Sequence, residues 1–550
     1  MKISISILFC CFCLITTELF SQETNNSKNP VLFTDKDFCI SGDTLWFKLW
    51  FADHEKSKEN IGRIQLESID GNVISDIIVK TNEGWGQGFL FIPDSLETSQ
   101  YFITAYRKSQ QKLSELKLIS KSLIVYNRFD NSVNHIKIAS SGHLIQKKSE
   151  NSGITIRSNK KKYKKREKVI LDIDFDSGLQ IKKALLKASL NDPLVQQHKG
   201  NYMFEYKESQ IKLPDIIEQN GFLLSGKAIN SKGETLKNVL VTLSIVNYPI
   251  YFDYYLTGEN GEFHFFLANA TGQTKIYLQT FSKKNEPVKL IVEQNCPVRL
   301  NATNENIVSF TKEQTAFAKK IIQGNYINRL FLTSIPFQPD FFEMPTPFEG
   351  EFYGTPKRRV NPANFINLEN FNEISKELLF GVRMRTNDGT STIRMVNEKS
   401  NSMFRNEPMR LLNGIPIRNN NLIEPLTSED IHFIEMTYKR RVFGDLTFNG
   451  ILSIWLNDKS NRFIAEDPNI FQYALKAIQV KKEPQYLKKR TTDISQPDIR
   501  QTYIWEFVKP DKSIQKEFFL SDFKGNVEIM VECVTDNNDI ITTSKLIEVK

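Results

Sequence analysis

The chain has 550 residues, of which 40% are hydrophobic and 25% charged, a composition that excludes wholesale disorder and is typical of folded domains. Its 72 basic and 64 acidic residues give a formal net charge of +8, a mild bias spread along the chain that does not indicate a nucleic-acid partner. The length predicts roughly four to six domains, and the 40 Phe residues favour β-sheet cores over helical bundles.

The first 22 residues have the pattern of a secretory signal peptide. Lys2 precedes an apolar run from Ile3 to Ile15, and a polar exit follows with predicted cleavage near Ser21 or Gln22. We therefore expect an exported mature protein. No later apolar stretch approaches the roughly 20 residues that a membrane helix needs, so we predict no integral span in the mature chain.

Three cysteines follow the signal peptide, and their spacing predicts neither a disulfide framework nor a metal site. Cys39, Cys296 and Cys533 are far apart and odd in number. We interpret them as buried free thiols. The cysteines inside the signal peptide do not follow the small residue that a lipoprotein signal needs, which disfavours a lipid anchor.

Residues 23–128 are predicted to form a β-sandwich. Apolar and polar residues alternate in segments that end at turns such as Ser41-Gly42-Asp43, as half-buried antiparallel strands require. The range resembles the second domain of alpha-2-macroglobulin-type proteins, in which a T-D-K strand end precedes a G-D-T-hydrophobic strand and a strand with alternating glycines. The matching residues are Thr34-Asp35-Lys36, Gly42-Asp43-Thr44-Leu45 and Gly86-Gln87-Gly88-Phe89.

Residues 129–219 are predicted to form a second sandwich of the same kind. The segment from Ile154 to Gly178 is similar to the strand, Tyr-containing turn and R-E-K-V strand that open later macroglobulin-like domains. A dense basic run from Lys160 to Lys168 leads directly into a strand-like segment. We interpret this run as a solvated turn, with a nuclear signal or a phosphate contact as the alternatives.

Three alternating carboxylates in the same range raise the alternative of a calcium site. They belong to Asp172, Asp174 and Asp176. An EF-hand loop needs Gly at its sixth position and an acid at its twelfth, where this chain has Ser177 and Lys183. Because alternate residues share one face of a strand, we predict a solvated strand face and no metal.

Residues 220–300 are predicted to form a further β-domain, with turns at Lys232-Gly233 and Asn260-Gly261. The range resembles the transthyretin-type, regulatory-like domain of carboxypeptidases. In that family the module is a folding and binding unit without catalytic residues. The matching residues are Gly226, Gly233, Leu236, Val239, Val241, Leu243, Thr257, Gly261 and Phe263.

Residues 301–367 are predicted to be a linker. A short helical stretch from Thr311 to Phe331 is followed by a segment rich in Pro and aromatic residues. Aromatic residues in such segments often pack on a neighbouring domain or a partner, and irregular surface packing is the alternative.

Residues 368–460 carry the most specific pattern. Strands, a turn at Asn413-Gly414 and a helix opened by Ser428, with Glu429 and Asp430 in its first turn, predict a compact α/β unit that ends in a strand. The unit resembles the plug domain of TonB-dependent outer-membrane transporters. The matching residues are Leu412 to Ile417, Leu426 to Glu435, Phe443-Gly444 and Asn449 to Ile454.

The chain after residue 460 is too short for a transporter barrel. The pattern over 461–550 predicts either a last sandwich or strands that complete an earlier one. The whole arrangement resembles barrel-less envelope proteins that combine macroglobulin-like, carboxypeptidase regulatory-like and plug-like domains. The predicted fold class is mainly β, with tandem Ig-like or macroglobulin-type sandwiches, a transthyretin-like domain and a small α/β plug-like domain.

Motifs for catalysis are missing from the mature sequence. It has no G-x-S-x-G, H-E-x-x-H, P-loop, C-x-x-C or thioester C-G-E-Q pattern, and its six His residues are scattered singly. We therefore predict that the protein is not an enzyme and has no catalytic, cofactor-binding or metal-binding residues.

The resemblance implies a binding function. We expect a periplasmic or outer-membrane-associated scaffold of a Gram-negative bacterium, which docks on an outer-membrane β-barrel or another envelope assembly partner. Substitution at Asn413-Gly414 would test this docking. The alternative is an accessory protein for TonB-dependent uptake that holds a glycan or a peptide.

Overall fold

The structure is a computed structural model. The predicted signal peptide, residues 1–22, and Cys296 lie outside the residues that it describes. The described part is mainly β, which confirms the predicted class of a mainly β chain with tandem sandwiches. The described residues are 30–52, 58–107, 118–130, 134–139, 143–145, 153–195, 201–204, 206–207, 218–246, 249–281, 287–293, 299–301, 304–331, 341–345, 350–387, 389–458, 467–484, 497–537 and 539–550.

Strands dominate the first half of the described chain. Before residue 146 they are β1 (Val31–Thr34), β2 (Phe38–Ile40), β3 (Thr44–Trp50), β4 (Ile61–Ser68), β5 (Val73–Lys80), β6 (Trp85–Phe91), β7 (Ser99–Tyr106), β8 (Ile119–Tyr126), β9 (His135–Ala139) and β10 (His143–Ile145). Then come β11 (Ile154–Ser158), β12 (Lys162–Tyr163), β13 (Lys168–Phe175), β14 (Ile181–Leu190), β15 (Asn201–Met203) and β16 (Tyr206–Lys207).

The second half adds two α-helices among the described residues, with short 3-10 helices at Pro362–Asn364 and Asn420–Leu422. Its first elements are β17 (Gly221–Ile229), β18 (Leu240–Ile245), β19 (Tyr251–Leu256), β20 (Glu262–Ala268), β21 (Gln273–Phe281), β22 (Lys289–Glu293), β23 (Arg299–Leu300), β24 (Glu305–Ser309) and α1 (Lys312–Phe331). They are followed by β25 (Arg358–Val360), α2 (Phe371–Glu377), β26 (Val382–Asn387), β27 (Thr390–Asn397), β28 (Ser402–Met403), β29 (Met409–Leu412), β30 (Ile415–Ile417), β31 (Ile431–Phe443) and β32 (Leu446–Leu456). The last elements are β33 (Ile470–Lys476), β34 (Thr502–Val508), β35 (Ser513–Phe519), β36 (Gly525–Thr535) and β37 (Ile540–Val549).

The first sandwich combines a three-stranded sheet, β1–β3–β6, with a larger sheet in the order β10–β15–β8–β7–β4–β5, to which β2, β9 and β24 add. Alternation along β3 sends Phe47 into the core and places Trp46 and Lys48 on the outer face. The predicted turn at Gly42 is confirmed, with a φ of 81°. Because β9, β10 and β15 lie beyond residue 128 but pair within this sandwich, the predicted boundary at that residue does not match the sheets.

The second sandwich is assembled from two distant stretches of the chain, 153–195 and 497–550. Its sheets run β11–β13–β35 and β12–β37–β36–β14–β34. Strand β14 pairs with β34 on one side and with β36 on the other, so the C-terminal strands satisfy both of its edges. The range 461–550 is therefore not a separate module, and the predicted alternative, strands that complete earlier sandwiches, is confirmed.

The third unit is a sandwich of the sheets β20–β17–β22 and β19–β18–β21–β33. Strand β33 comes from residues 470–476 and lies against β21 along its whole length. The predicted glycine turns are confirmed, since Gly233 and Gly261 have φ values of 84° and 73°.

The fourth unit contains the sheet β25–β31–β32–β29–β30, the sheet β26–β27–β28 and helix α2. Asn413 and Gly414, with φ values of 47° and 79°, join β29 and β30 in a two-residue hairpin. The predicted helix after Ser428 is wrong. Asp430 accepts hydrogen bonds from the backbone and hydroxyl of Thr427, and the chain then enters β31, which pairs with β25 and β32.

Helix α1 confirms the helical stretch predicted at the start of the linker, and it has a packing role. Ala318 and Ile321 are fully buried in a cluster with Phe38 of the first sandwich and Leu190 of the second. The helix therefore packs against both sandwiches where they meet. Among the described residues, no helix is both long and apolar enough to span a membrane.

Candidate binding surface

Buried contacts join the first and second sandwiches. Asp37, between β1 and β2, accepts a hydrogen bond from the Lys187 ammonium at 2.9 Å, and Lys121 Nζ lies 3.3 Å from the other carboxylate oxygen. Lys187 has no exposed surface and Asp37 is 8% exposed. A buried charge is tolerated only when its partner is in place, so this network favours one arrangement of the two sandwiches.

A second buried ion pair connects the first sandwich to the third unit. Arg63 on β4 and Glu218, just before β17, are 2.5 Å apart, and Glu218 also accepts from Leu223 N at 2.8 Å. Asn60 and Asn220 exchange two further hydrogen bonds of 2.9 and 2.8 Å. The junction is therefore specified by polar groups that would be unpaired if the units separated.

The third and fourth units meet around two buried carboxylates. Glu435 on β31 accepts hydrogen bonds of 2.9 Å from Tyr353 Oη and from Arg359 Nε. Glu351 accepts from Ile250 N of the third unit at 3.0 Å, and its other carboxylate oxygen is buried without a hydrogen-bond partner. Burial and the nearby Glu435 charge raise the pKa of Glu351 to about 7.

The raised pKa of Glu351 predicts a pH dependence of stability. Between the ordinary pKa of about 4.3 and the native value of about 7, the folded state holds the proton more tightly than the unfolded chain. The free energy of unfolding should therefore fall as pH rises through that window and level off above it. We expect Glu351→Gln to flatten this fall and to be more stable than the natural chain at pH 8.

Thermal unfolding at intervals between pH 4.5 and pH 8 measures this effect. Glu67 and Asp192 also have buried carboxyls with raised pKa values, about 7 and about 6, so the slope should decrease without vanishing. The control is Glu377→Gln, which removes an exposed carboxyl from the end of α2. Equal slopes for Glu351→Gln and the natural chain would show that Glu351 is ionised throughout.

The outer face of β26 and β27 presents a group of arginines. Arg383 lies directly opposite Arg394, and Arg385 lies opposite Thr392. All three arginine side chains are exposed. Arg383 donates to the carbonyl oxygens of Ser375 and Val382, whereas Arg385 and Arg394 form no ion pair with any residue that the structure describes.

An exposed aromatic ring lies two residues before β26 in the chain. Phe380 is 70% exposed, and the Arg358 guanidinium lies 5.1 Å from its ring centroid. We call the set Arg358, Phe380, Arg383, Arg385 and Arg394 the arginine face. Like charges directly opposite each other on a sheet are destabilising, whereas Arg and aromatic side chains are enriched at protein interfaces. The arginine face therefore has the character of a binding surface for acidic groups.

The predicted docking position at Asn413-Gly414 is structural. Asn413 is 3% exposed and accepts a hydrogen bond from Leu456 N at 2.7 Å. A Cβ atom on Gly414 would lie 3.1 Å from Ile250 of the third unit. The turn is therefore inside the contact between two units and does not offer a free surface. Sequence analysis did not identify the arginine face. The signal in the sequence is that apolar residues alternate with Arg383, Arg385 and Arg394 along β26 and β27, which places these arginines on one face of the strands.

Several of the residues considered for a metal or for an anion are engaged with other side chains. In the described part of the chain, no three His, Cys, Asp or Glu side chains are arranged to hold a metal ion. Asp174 forms an ion pair with Arg157, and Asp172 accepts from Gln515 at 3.0 Å. In the basic run, Lys164 and Lys165 are exposed at a turn, as predicted, whereas Lys162–Tyr163 forms β12 and Tyr163 is buried. Ion pairs to glutamates are Lys160–Glu167, Lys162–Glu548 and Lys168–Glu517. Cys39 and Cys533 are buried free thiols, as predicted.

Comparison with known proteins gives no family for the chain. No protein-family model and no curated protein matches it. It aligns with the solved alpha-2-macroglobulin of Salmonella reacted with methylamine at 8% identity and a TM-score of 0.23, over 95% of this chain and 39% of that one. The native alpha-2-macroglobulin of Escherichia coli aligns at 8% identity and a TM-score of 0.23, over 96% of this chain and 40% of that one. A putative membrane anchored protein from Corynebacterium diphtheriae aligns at 9% identity and a TM-score of 0.15, over 52% of this chain and 57% of that one.

This chain spans about two fifths of the length of the two macroglobulins. The mainly β class follows from its own sheets. The carboxypeptidase regulatory-like and plug-like resemblances stay predictions.

Proposed function

We propose that this protein is a non-catalytic, exported scaffold of the bacterial cell envelope that docks on another envelope protein through the arginine face. The partner carries acidic side chains on its docking surface, and an outer-membrane β-barrel protein fits the plug-like resemblance of the fourth unit. The observation that carries the proposal is the exposed pair Arg383 and Arg394, which forms no ion pair with any carboxylate among the described residues.

The junctions between the units support this function. The networks around Asp37 and Glu218 use buried ion pairs to connect one unit to the next, and the buried Glu351 accepts a hydrogen bond from Ile250 N of the third unit. A chain with such junctions can present one surface in a fixed orientation, which lowers the ordering cost when a partner binds. The sandwiches then act as the arm and the fourth unit as the docking end.

Charge reversal on the arginine face separates binding from stability. In the variant Arg385→Glu/Arg394→Glu, the carboxylate introduced opposite Arg383 has the opposite charge to it, so thermal stability should stay unchanged or rise slightly. Capture of the acidic partner should fall roughly tenfold or more, because like charges then meet across the interface. The measurement is affinity purification from detergent-solubilised envelopes, followed by quantitative mass spectrometry.

The control is Lys232→Glu, which changes a charge in an exposed turn of the third unit. The control should retain the same partners as the natural chain. An unchanged set of partners for the arginine variant, at unchanged stability, would remove the arginine face from the docking site.

A further inference from the structure

Lysines and aromatic rings meet at the contact between the first and second sandwiches. The outer face of β3 brings Lys48 and Trp46 to this contact. On the second sandwich, β14 and β34 place Leu185 opposite Phe507 and Lys187 opposite Trp505. Trp46, Trp85, Phe507 and Lys183 are only half-buried, so the edge of the contact is open to solvent.

Two ammonium groups lie close to the Phe507 ring. Lys48 Nζ lies 3.8 Å from the ring centroid of Trp505 and 4.8 Å from that of Phe507. Lys183 Nζ lies 4.7 Å from the centroid of Trp85 and also 4.8 Å from that of Phe507. Because both nitrogen atoms lie 4.8 Å from the same Phe507 centroid, they are separated from each other by at most twice 4.8 Å.

Neither ammonium has a hydrogen bond or an ion pair with any residue in the described part of the chain. Lys48 is nevertheless only 7% exposed. The Trp505 indole N–H is also buried and has no acceptor. Lys187, at the same contact, is paired with Asp37. Of these three donors only the Trp505 N–H is buried without an acceptor, whereas the two ammonium groups have no protein acceptor and are not among the buried unpaired atoms. A buried donor without an acceptor is costly unless a ligand supplies one.

We propose that Lys48, Trp85, Lys183, Trp505 and Phe507 form a binding site for a carboxylate carried on a ring with a flat apolar face. The carboxylate would accept hydrogen bonds from the two ammonium groups. The ring would pack on the solvent-exposed parts of Trp85 and Phe507, whose own rings meet edge to face with centroids 5.0 Å apart. Either a uronic acid sugar or an aromatic acid has this chemistry. The site is independent of the arginine face and lies in different units of the chain.

Burial predicts how binding depends on pH. Burial lowers the pKa of Lys48 to about 8, and the positive charge of Lys481 lowers it further. The negative charges of Glu483, Glu506 and Asp35 act in the opposite direction. Burial also lowers the pKa of Lys183, where Glu83 opposes and Lys481 adds to the effect. A carboxylate binds the protonated amines, so affinity should fall about tenfold between pH 7 and pH 9.

Isothermal titration of the full mature chain with four probes tests the site. Glucuronate and benzoate represent the two sources, glucose has the ring without the charge, and acetate has the charge without the ring. We expect at least one ring carboxylate to bind, roughly tenfold or more tightly than acetate, and glucose to give no heat. Whichever of the two binds more tightly identifies the source.

The variant Lys183→Met removes one ammonium from the half-buried edge and should weaken binding of the ring carboxylate about tenfold. Lys232→Met in the third unit is the control and should bind as the natural chain does. Equal affinity for acetate, equal affinity for glucose, or no heat with either ring carboxylate would overturn the proposal. If Lys183→Met does not fold, the pH dependence of the natural chain decides, because a constant affinity from pH 7 to pH 9 contradicts a role for Lys48.

Discussion

Deleting residues 497–550 is expected to unfold the second sandwich although its first strands remain in the chain. Strand β14 would lose both of its neighbours, β34 and β36, and β13 would lose β35. Leu186 and Val169, both fully buried in the core of this sandwich, would be exposed to water. Hydrogen exchange over residues 153–190 should rise to the level of an unfolded chain.

Supplying the deleted part as a separate fragment is the matching control. The fragment 497–550 carries β34 to β37, so its addition should restore protection over residues 153–190. Native protection in the truncated chain without the fragment would mean that 153–195 folds alone, and that the C-terminal strands form a module of their own.

Asp37→Asn is expected to cause the largest loss of stability among single substitutions at the junctions. It leaves two buried ammonium groups, Lys187 and Lys121, without the carboxylate that lies between them. Leaving a buried charge without its partner costs about 3 to 5 kcal/mol. The measurement is denaturant unfolding followed by Trp fluorescence, because Trp50 and Trp505 lie in the same junction.

A double substitution distinguishes the loss of the ion pair from a disturbance of side-chain packing. Asp37→Asn/Lys187→Met removes one of the stranded charges, so it should recover part of the stability that Asp37→Asn loses. A loss below about 1 kcal/mol for Asp37→Asn would show that water reaches Lys187 in solution, since exposed ion pairs contribute at most about that much.

Local features could be predicted from the sequence. The alternation of β3 and the turns at Gly42 and Asn413-Gly414 depend on residues that are adjacent in the chain. The exception is the helix after Ser428, where the local capping pattern was misleading. Residues 431–443 are rich in β-branched and aromatic side chains, and pairing with β25 and β32 decided their conformation.

The sequence offered strands that complete an earlier sandwich as one alternative for the C-terminal range, but which distant strands pair could not be predicted. Strand β14 and its partners β34 and β36 are separated by more than three hundred residues of sequence, and their pairing depends on complementary packing that no local pattern encodes. The same holds for Asp37 and Lys187, which contribute one buried ion pair from two sandwiches. In the arginine face, alternation indicates exposed arginines, but the register that places Arg383 opposite Arg394 is a property of the fold.

The most direct test of the docking function is a photo-reactive amino acid at Phe380 in living cells. The ring is 70% exposed beside Arg358, so a docked partner would lie within reach of the reactive group. We predict one dominant cross-link to an envelope protein, and its loss in the variant that also carries Arg385→Glu/Arg394→Glu. Cross-links no stronger than those from the same group at Phe519, an exposed position on the second sandwich, would contradict docking through the arginine face.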